Sequence, residues 1–558
     1  MDNYAIADQF SLLSKVMDIH GENSFKSKSY SIAAYNIEQL PTQLNAIPRE
    51  KIAGLKGIGD STGKKIIEIL DTGKIKVLDE LISKTPAGIM EMLNIKGLGP
   101  KKISLIWKEM EIESLGELLY ACQENRLMLY KGFGEKTQNN VADAIDFYMR
   151  SQGHFLYAEI ISIANHFTSF LKENFPGELV EISGALRRQL PVIGRAEWIT
   201  TVTPSALKEK LVQNGFSEIE STPTSSHHKS SDNINLYFTH TTPEAFHQQL
   251  FQQSSSVVFF DEWQLRTAGS KIDFSNEEKI FESAGLKFIP SYRREDTGIF
   301  NIITSTTLPD PIQPEDIKGI IHSHSTWSDG SNSLEEMAKA CISKGFEYLV
   351  ISDHSKTAFY AKGLSEERIR EQHMQIDELN KTLAPFRIFK SIESDILNDG
   401  SLDYSEPVLR SFDLVIASVH SNLKMSLDKA MMRLLRAIEN PNTTILGHMT
   451  GRLLLSRNGY PVDHDAIIDA CVENKVVIEL NAHPRRLDID WTWINKALEK
   501  GAMISIDPDA HSIDGYDDIR YGVYAAQKSL LTPDKNLSSF SRSELEEYLE
   551  KRKAARGI

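Results

Sequence analysis

Histidine and carboxylate side chains follow one short apolar run after another in the second half of the chain. The residues at these positions are His322 and His324, Asp353 and His354, Glu393, His420, His448, Asn481, and Asp509 and His511. Short apolar runs that alternate with helical segments predict parallel strands, and the carboxyl ends of strands in a parallel barrel meet at one face. Imidazole and carboxylate groups together suit Zn²⁺, Mn²⁺ or Fe. The sequence therefore predicts a metal centre with enough ligands for two or three divalent ions.

Such a centre would be suited to phosphate chemistry. Neighbouring metal ions clamp a phosphate and activate water for in-line attack. His322 and His324 are two residues apart, so both are expected to point the same way from one strand. A single histidine at a strand end is usually structural, but packing gives no reason for six of them at successive ends. Because histidine ligands must be neutral, we expect activity to fall below about pH 6.

A second pattern occurs three times in the first 150 residues, where two glycines flank one apolar residue and a helical run with lysines follows. The glycines are Gly57 and Gly59, Gly97 and Gly99, and Gly132 and Gly134, and the lysines include Lys64, Lys101 and Lys136. The turn lets the backbone approach an anion, and the next helix presents its free N–H groups. One copy would be consistent with a simple helix end, but three copies with lysine favour phosphate binding.

These three copies resemble the helix-hairpin-helix elements of DNA repair proteins. Together with the segment 23–35, which reads Asn-Ser-Phe-Lys-Ser-Lys-Ser-Tyr-Ser-Ile-Ala-Ala-Tyr, they resemble the N-terminal part of bacterial family X DNA polymerases. The resemblance continues through 277–296. It implies contacts with the DNA backbone that do not read sequence.

The polymerase palm of that family has a glycine-serine turn, two arginines, and then aspartates that hold the catalytic metals. The segment 184–198 keeps the turn glycine and both arginines, but Arg195 and Glu197 stand where the aspartate pair is expected, and Asn235 replaces a third. An arginine repels Mg²⁺ and cannot ligate it. The sequence therefore predicts a degenerate palm that keeps its fold without polymerase chemistry.

The order of metal-ligand residues from 322 to 511, including Ser328-Asp329-Gly330, resembles the polymerase and histidinol phosphatase (PHP) family. The resemblance implies a distorted seven-stranded barrel with a trinuclear site. It assigns a first ion to His322, His324, Glu393 and Asp509, a second to Glu393, His420 and His448, and a third to Asp329, His354 and His511.

Some of these residues are also predicted to take part in catalysis. Glu393, as the bridging carboxylate, and His324 are the metal ligands expected to matter most. Arg452 and Arg457 are predicted to bind substrate phosphate, with Lys356 and Arg486 as further candidates. The alternative for these cations is a surface ion pair with one of the many nearby carboxylates.

The fold class is multidomain α and α/β. The predicted domains are a helical DNA-binding domain (1–80), a fingers-like helix-hairpin-helix domain (81–150), a nucleotidyltransferase-like palm and thumb (151–312), and a distorted (β/α)7 PHP barrel (316–558). The proline-rich segment 309–314 is the expected linker. Three distant cysteines, no membrane-length apolar run and no signal-like N-terminus predict a cytoplasmic protein.

The leading interpretation is a metal-dependent 3′-5′ exonuclease that acts in DNA repair on gapped DNA or DNA with 3′ ends, without sequence preference and without a membrane partner. Mn or Zn is the expected metal, and Fe or Mg would also fit. The alternatives are an active gap-filling family X polymerase, a small-molecule phosphatase of histidinol-phosphatase type, and a non-catalytic DNA-binding scaffold. A net charge of −15 argues against a chain coated with DNA-binding lysines. The oligomeric state stays open.

Overall fold

The computed structural model describes residues 2–38, 40, 42–55, 58–150, 153–230, 234–305 and 309–558. They form two compact units. The first unit holds Met1–Gln123 and Leu127–Asp146, and the second holds Glu124–Arg126 and Phe147–Ile558. Among the described residues, no helix is long and apolar enough to span a membrane.

The first unit is helical, as predicted. Its helices are α1 (Asn3–His20), α2 (Ser24–Glu38), α3 (Arg49–Ile52), α4 (Asp60–Thr72), α5 (Lys76–Ile82), α6 (Ala87–Glu91), α7 (Pro100–Lys108), α8 (Leu115–Gln123) and α9 (Glu135–Arg150), which continues past the unit's last residue. The Asp2 side chain accepts a hydrogen bond from the Ala5 N–H at the start of α1, and Gly21 ends the helix with a φ of 74°.

The repeated glycines lie directly before helices. Gly59 is the N-cap of α4, Gly99 is the N-cap of α7, and Gly134 immediately precedes α9. Gly97 and Gly132 have φ values of 95° and 96°, which a side chain would strain. The lysines that accompany these turns, Lys64, Lys101 and Lys136, are exposed, whereas Gly57 lies outside the described residues.

The second unit begins with a palm-like sheet. Its strands are β1 (Phe155–Leu156), β2 (Val180–Ser183), β3 (Val192–Ile193), β4 (Ala196–Thr200), β5 (Ser217–Ser221), β6 (Ser225–Lys229) and β7 (Asn235–His240). Five of them form a sheet in the order β2-β4-β7-β6-β5, in which only the β4–β7 pair is parallel. The helices are α10 (Tyr157–Asn174), α11 (Gly184–Arg187), α12 (Pro204–Gln213), α13 (Phe246–Gln253), α14 (Val257–Arg266), α15 (Glu277–Ser283) and α16 (Gly298–Ser305).

The polar composition of the segment 221–231 predicts a flexible loop, but the described part of this segment contains the strand β6. β6 pairs with both β5 and β7. Its inward-facing side chains, Ser226 and His228, are polar and hydrogen-bond within the sheet: Ser226 Oγ lies 2.8 Å from Nε2 of His240 on β7 and 3.2 Å from His228 Nε2. An apolar alternation was therefore not needed to bury this strand.

The remainder of the second unit is a ring of parallel strands. They are β8 (Gly319–Ser323), β9 (Tyr348–Ile351), β10 (Arg387–Lys390), β11 (Glu393–Asp395), β12 (Ile416–Ser418), β13 (Ile445–Leu446), β14 (Val477–Asn481) and β15 (Ile504–Asp507). The helices are α17 (Leu334–Ser343), α18 (Glu366–Thr382), α19 (Glu406–Leu409), α20 (Leu427–Glu439), α21 (His464–Asn474), α22 (Trp491–Glu499), α23 (Ile519–Gln527) and α24 (Arg542–Arg556).

Two isolated bridges close the ring. One sheet has the order β10-β9-β8 and the other the order β11-β12-β13-β14-β15. The bridges His354↔Glu393 and Ser323↔Ala510 join them on either side. Since β10 and β11 are two parts of the segment 387–395, the ring has the seven strand positions and the distortion that the resemblance to the PHP family implied.

The palm sheet and the barrel share one hydrophobic core, which includes Trp198 from β4 and Ile320 from β8. Polar contacts also join them. Lys528 Nζ donates to the Arg188 carbonyl over 2.7 Å, and Arg293 Nε donates to the Gln527 carbonyl over 2.9 Å. The segment 309–314 is part of this packing, because Ile312 is fully buried and its carbonyl accepts from Gln527.

A buried ion-pair cluster should make the stability of this unit pH-dependent. Glu277 Oε1 accepts from Arg187 Nη1 over 3.0 Å and from fully buried Arg294 over 2.7 Å. Burial raises the pKa of Glu277, but the hydrogen bond from Arg187 and the charges of Arg294 and Arg187 outweigh it and lower the pKa to about 2. The stabilisation is thus complete above pH ~5 and is lost as the pH falls towards 2.

We therefore expect Glu277→Gln to lower the free energy of unfolding by about 3 kcal/mol at pH 7, and by much less at pH 3. Urea denaturation at both pH values measures this difference. The matched control is Glu282→Gln, on the same helix, whose side chain is 66% exposed and pairs with Lys279. A Glu277→Gln effect no larger than the control's at pH 7 would contradict the prediction.

Candidate metal centre

The structure brings all nine sequence-predicted metal ligands together at one end of the barrel. Their ligand atoms form three groups, each within 4.8 Å: His322, His324, Glu393 and Asp509; His354, Glu393 and His420; and His324, Asp329, His354 and His511. His448 joins the second group, because its Nε2 lies 3.0 Å from Glu393 Oε1, the same distance as His420 Nε2.

The grouping differs in detail from the one that the family resemblance implied. The first group is identical. His324 also lies in the third group, and His354 lies close to both the second and the third, with its Nδ1 3.0 Å from Glu393 Oε2. Glu393 therefore belongs to both the first and the second group. His324 belongs to the first and third groups, and His354 belongs to the second and third.

The backbone at the first group departs from a regular strand. The pairing of β8 with β9 shifts register between Ile320 and Ser323, and His322 has a φ of 61°. Asp509 has a φ of 52°. Left-handed φ values in non-glycine residues cost free energy and persist where the surrounding structure enforces them. His322 and His324 thus converge through a bulge, and not through the simple strand alternation that the sequence suggested.

The buried ligand atoms fit divalent ions. All four side chains of the first group are at least 96% buried. Among the described residues, His322 Nε2, His324 Nδ1, His511 Nε2, Glu393 Oε2 and Asp329 Oδ2 are buried without a hydrogen-bond partner. Buried polar atoms are rarely left unsatisfied, and nitrogen and carboxylate oxygen donors are the ligands that Zn²⁺ and Mn²⁺ take. The cluster is therefore a metal-binding site.

The charges of the cluster act on its histidines. Burial lowers the pKa of His420, but the carboxylates of Glu393 and Asp395 outweigh it and raise the pKa to about 10. Burial, together with the positive charge that His511 and His354 carry when protonated, lowers the pKa of His324 to about 4. Divalent cations would take the place of protons here, so metal binding should release protons.

Three carboxylates to which the sequence analysis assigned no role support the ligands. Glu479 contacts His322 Nδ1, and Asp395 contacts His420 Nδ1. Such contacts to Nδ1 fix the orientation of each imidazole ring, so that its Nε2 is directed towards the metal site. Asp395 could have been found from the sequence, since it lies two residues after Glu393 on β11 and therefore on the same side of that strand.

The third carboxylate, Asp353, organises the loop that carries Asp329. It accepts hydrogen bonds from the backbone N–H groups of Ser325 and Ser328, from both serine hydroxyls and from Gln372 Nε2. Asp353 is fully buried, so its loss would leave several donors unsatisfied.

We expect Asp353→Ala to weaken binding of one metal ion by about 10–100-fold while the other ions stay bound. Metal content after dialysis against limiting metal, measured by mass spectrometry, tests this. The matched control is Asp377→Ala, which removes a carboxylate that is 56% exposed. Unchanged metal content in Asp353→Ala would contradict the organising role.

The predicted phosphate-binding arginines differ in their surroundings. The guanidinium of Arg452 donates to Asp490 and to the carbonyls of Arg486 and Leu487, so it is used inside the fold. Arg457 Nε donates to the Gly451 carbonyl. Arg486, in contrast, lies at the metal ligands, with its Nε 3.6 Å from Asp509 Oδ2.

The short segment Glu124–Arg126 of the second unit also lies near the centre. Arg486 Nη2 is 3.9 Å from Glu124 Oε1, and the Arg126 guanidinium stacks 4.3 Å over the Tyr360 ring. The Tyr360 ring is 6.4 Å from that of His354. No sequence pattern indicated that Glu124, Arg126 and Tyr360 approach the centre, because their contacts are long-range.

The three degenerate palm positions lie on one side of the palm sheet. Glu197 packs against the turn at Gly184, where a Cβ atom would lie 2.0 Å from its Oε2. Asn235 Oδ1 lies 3.0 Å from His227 Nε2, and Arg195 stacks on Tyr237. No group of metal-ligand residues was found here among the described residues.

Comparison with known proteins places the chain. A helix-hairpin-helix domain family matches residues 1–75, a SAM-like helix-hairpin-helix tandem matches 89–145, and the PHP domain family matches 321–483. A protein of Bacillus subtilis strain 168 named "DNA polymerase/3'-5' exonuclease PolX" is 32% identical over 556 residues, covering 96% of this chain and 97% of the relative. The chain belongs to the PolX family.

Shorter relatives match part of the chain. A probable phosphatase of Thermoanaerobacter sp. strain X514 is 24% identical over 243 residues, which cover 42% of this chain and 94% of the relative. A probable phosphatase of Acetivibrio thermocellus is 28% identical over 169 residues, which cover 29% of this chain and 64% of the relative. Membership in the PolX family and the helix-hairpin-helix matches confirm the predicted resemblance of the N-terminal region.

Proposed function

We propose that this PolX protein is a metal-dependent DNA phosphodiesterase that removes nucleotides from 3′ ends through its PHP barrel, and that its palm no longer synthesises DNA. The observation that carries the proposal is a contrast within one chain. The nine barrel ligands converge, and among the described residues seven of them have a buried side-chain atom without a hydrogen-bond partner, whereas the three palm positions carry Arg195, Glu197 and Asn235.

The barrel residues can divide the work of hydrolysis. Two or three divalent ions, Mn²⁺ or Zn²⁺ by donor set, would supply an activated water and neutralise phosphate charge. Glu393 belongs to two of the ligand groups, with its Oε1 3.0 Å from His420 Nε2 and its Oε2 3.0 Å from His354 Nδ1, so it would help to hold more than one ion. Arg486 is the cation best placed to contact a phosphate oxygen, because it lies beside the metal ligand Asp509. Arg452 supports the loop that carries Arg486 by donating to the Arg486 carbonyl.

The helical unit supplies sequence-independent DNA contact in this proposal. The turns before α4, α7 and α9 present glycine backbones and helix N-termini, with Lys64, Lys101 and Lys136 exposed beside them. Such elements bind backbone phosphates. Gapped DNA and DNA with a free 3′ end are the proposed substrates.

The palm arginines support the loss of synthesis. Arg187 is paired with Glu277, and Arg188 Nε donates to Glu295 Oε1 over 2.9 Å. Their charges are thus used within the fold, and Glu197 alone remains of the carboxylates that would hold metal. Burial raises the pKa of Glu197, which further weakens it as a metal ligand.

The experiment uses a 5′-labelled primer on gapped DNA with Mn²⁺ and all four deoxynucleotides. We expect a ladder of shortened products, equal in wild type and Glu197→Ala. Lengthened products that disappear in Glu197→Ala would establish a polymerase and refute the inactive palm. An unchanged primer, together with phosphate release from small phosphomonoesters, would instead establish a phosphatase, which is the activity that the names of the shorter relatives give.

A further inference from the structure

One short loop of the barrel touches both the metal centre and the palm. The segment 483–487, which we call the arginine loop, follows β14. Its Arg486 lies beside the centre, with Nε 3.6 Å from the Oδ2 atom of the metal ligand Asp509. Its neighbour Arg485 contacts the palm, where its Nη2 donates to Glu159 Oε1 over 3.1 Å. Two adjacent residues therefore connect the ligand cluster to the palm helix α10.

The contact between Arg485 and Glu159 is well defined. Arg485 is 2% exposed, and removing one partner of a buried ion pair leaves the other charge uncompensated. The second oxygen of Glu159 accepts from the Leu156 N–H over 2.9 Å, at the start of α10. The carboxylate is thus fixed by the first turn of the palm helix while it holds the barrel arginine.

The palm in turn holds the first turn of α10 in place. Strand β1 pairs with β3, and the Tyr157 N–H donates to the Pro191 carbonyl over 3.0 Å. Tyr157 also lines a small cavity together with Pro484 and Leu487 of the arginine loop. The same helix end therefore packs against the loop through apolar groups and pairs with it through Glu159.

The barrel itself holds the backbone of the arginine loop. The Leu454 N–H donates to the Arg485 carbonyl over 2.6 Å, and Arg452 Nε donates to the Arg486 carbonyl over 2.9 Å. These contacts hold carbonyl groups, whereas Glu159 holds the Arg485 side chain. Because Arg485 and Arg486 are consecutive, a change in the packing of one shifts the backbone from which the other projects. A displacement of about 1 Å at a reacting group can cost about 10²-fold in rate.

We propose that Glu159 is a positioning residue for the substrate site of the barrel. Through Arg485 it holds the arginine loop in the conformation that keeps Arg486 beside Asp509, where the guanidinium contacts a substrate phosphate. The palm then serves hydrolysis as a framework, a role that needs none of the polymerase carboxylates. The inference rests on the proposed function, because that proposal assigns the phosphate contact to Arg486.

The test uses fluorescence anisotropy to measure how the full chain, loaded with Mn²⁺, binds a labelled trithymidylate whose phosphorothioate linkages resist hydrolysis. We expect Arg486→Gln to weaken binding about tenfold, which is the loss of one charge-assisted phosphate contact. Glu159→Gln keeps the size of the side chain and should weaken binding about fivefold, because a displaced cation keeps part of its contact. Bound metal, measured by mass spectrometry, should stay unchanged in Glu159→Gln, since no ligand is altered.

A double variant separates positioning from a general loss of structure. If Glu159 acts through Arg486, Glu159→Gln combined with Arg486→Gln should bind within about twofold of Arg486→Gln alone, because both changes affect one contact. Independent effects would multiply to a loss of about fiftyfold, and that result would overturn the inference. Equal affinity of Glu159→Gln and wild type would also overturn it, as would loss of bound metal from Glu159→Gln.

Two control variants should bind the trinucleotide within about twofold of wild type. Glu173→Gln removes an exposed carboxylate near the other end of α10. Arg293→Gln removes a different contact between palm and barrel, the hydrogen bond from Arg293 Nε to the Gln527 carbonyl. A loss in Arg293→Gln as large as that in Glu159→Gln would indicate general loosening and overturn the inference.

A second variant and the choice of probe keep the outcome clear. If Glu159→Gln does not fold, Arg485→Gln tests the same contact from the loop side and should also weaken binding about fivefold. Because the probe is not cleaved, a wild-type protein without nuclease activity would refute the proposed function, while the binding of the variants would still decide this inference.

Discussion

Replacing His324 with alanine should lower the rate of hydrolysis at DNA 3′ ends by at least about 10³-fold. This loss corresponds to about 4 kcal/mol of transition-state stabilisation. His324 is fully buried and belongs to two of the three ligand groups, with its Nε2 3.1 Å from Asp509 Oδ1. Its loss removes a donor from both groups and leaves Asp509 without that contact. Shortening of the labelled primer over time measures the effect.

DNA binding should survive this substitution, because the glycine turns and lysines of the helical unit are untouched. The matched control is His464→Ala. His464 begins α21 and stacks on Trp493 at 4.4 Å, outside the ligand groups. We expect it to retain activity within about twofold. Full hydrolysis by His324→Ala would place the active site elsewhere in the chain.

Removing the metal should both stop hydrolysis and destabilise the barrel. The centre gathers the carboxylates of Asp329, Glu393 and Asp509 in a buried volume, where each cation offsets their mutual repulsion. A bound ligand stabilises the folded state by about 2.7 kcal/mol when its free concentration is a hundredfold above Kd. The loss of two or three ions should therefore lower the unfolding midpoint by several degrees.

Differential scanning calorimetry before and after chelation, with metal content followed by mass spectrometry, provides the measurement. Readdition of Mn²⁺ or Zn²⁺ should restore both the midpoint and activity, and the ion that does so identifies the metal. His324→Ala should show a smaller shift on chelation than wild type. A metal-free protein with an unchanged midpoint would show that the cluster is held together without ions.

Eight of the nine barrel ligands could be read from the sequence because they lie at or just after the end of a short apolar strand, whereas Asp329, on a loop, came from the resemblance to the PHP family. In a parallel ring, strand ends converge whatever the rest of the chain does, so order along the chain was enough to bring His322 and His511 to one place. The degenerate palm was also readable, since Arg195 and Asn235 change the chemistry of a position without changing its strand.

Other features lay beyond the sequence pattern. The approach of Glu479 to His322 and of Asp353 to the Asp329 loop depends on contacts between distant strands. β6 was missed because its buried side is formed by Ser226 and His228, which hydrogen-bond laterally instead of being apolar. The structural role of Arg452 could not be predicted, because it depends on a hydrogen bond to the carbonyl of Leu487, which is distant in the sequence.

The sequence by itself determined which residue types stand at successive strand ends, and from these residues we predicted one complete metal centre in the barrel and a degraded one in the palm. The tertiary structure decided how those residues are arranged. It determines which ligands belong to two groups, which carboxylates orient the ligands, and which arginine lies beside the centre. The physical reason is that the pattern of apolar strands is local and periodic, whereas ligand sharing and ring orientation depend on distances between side chains far apart in the chain.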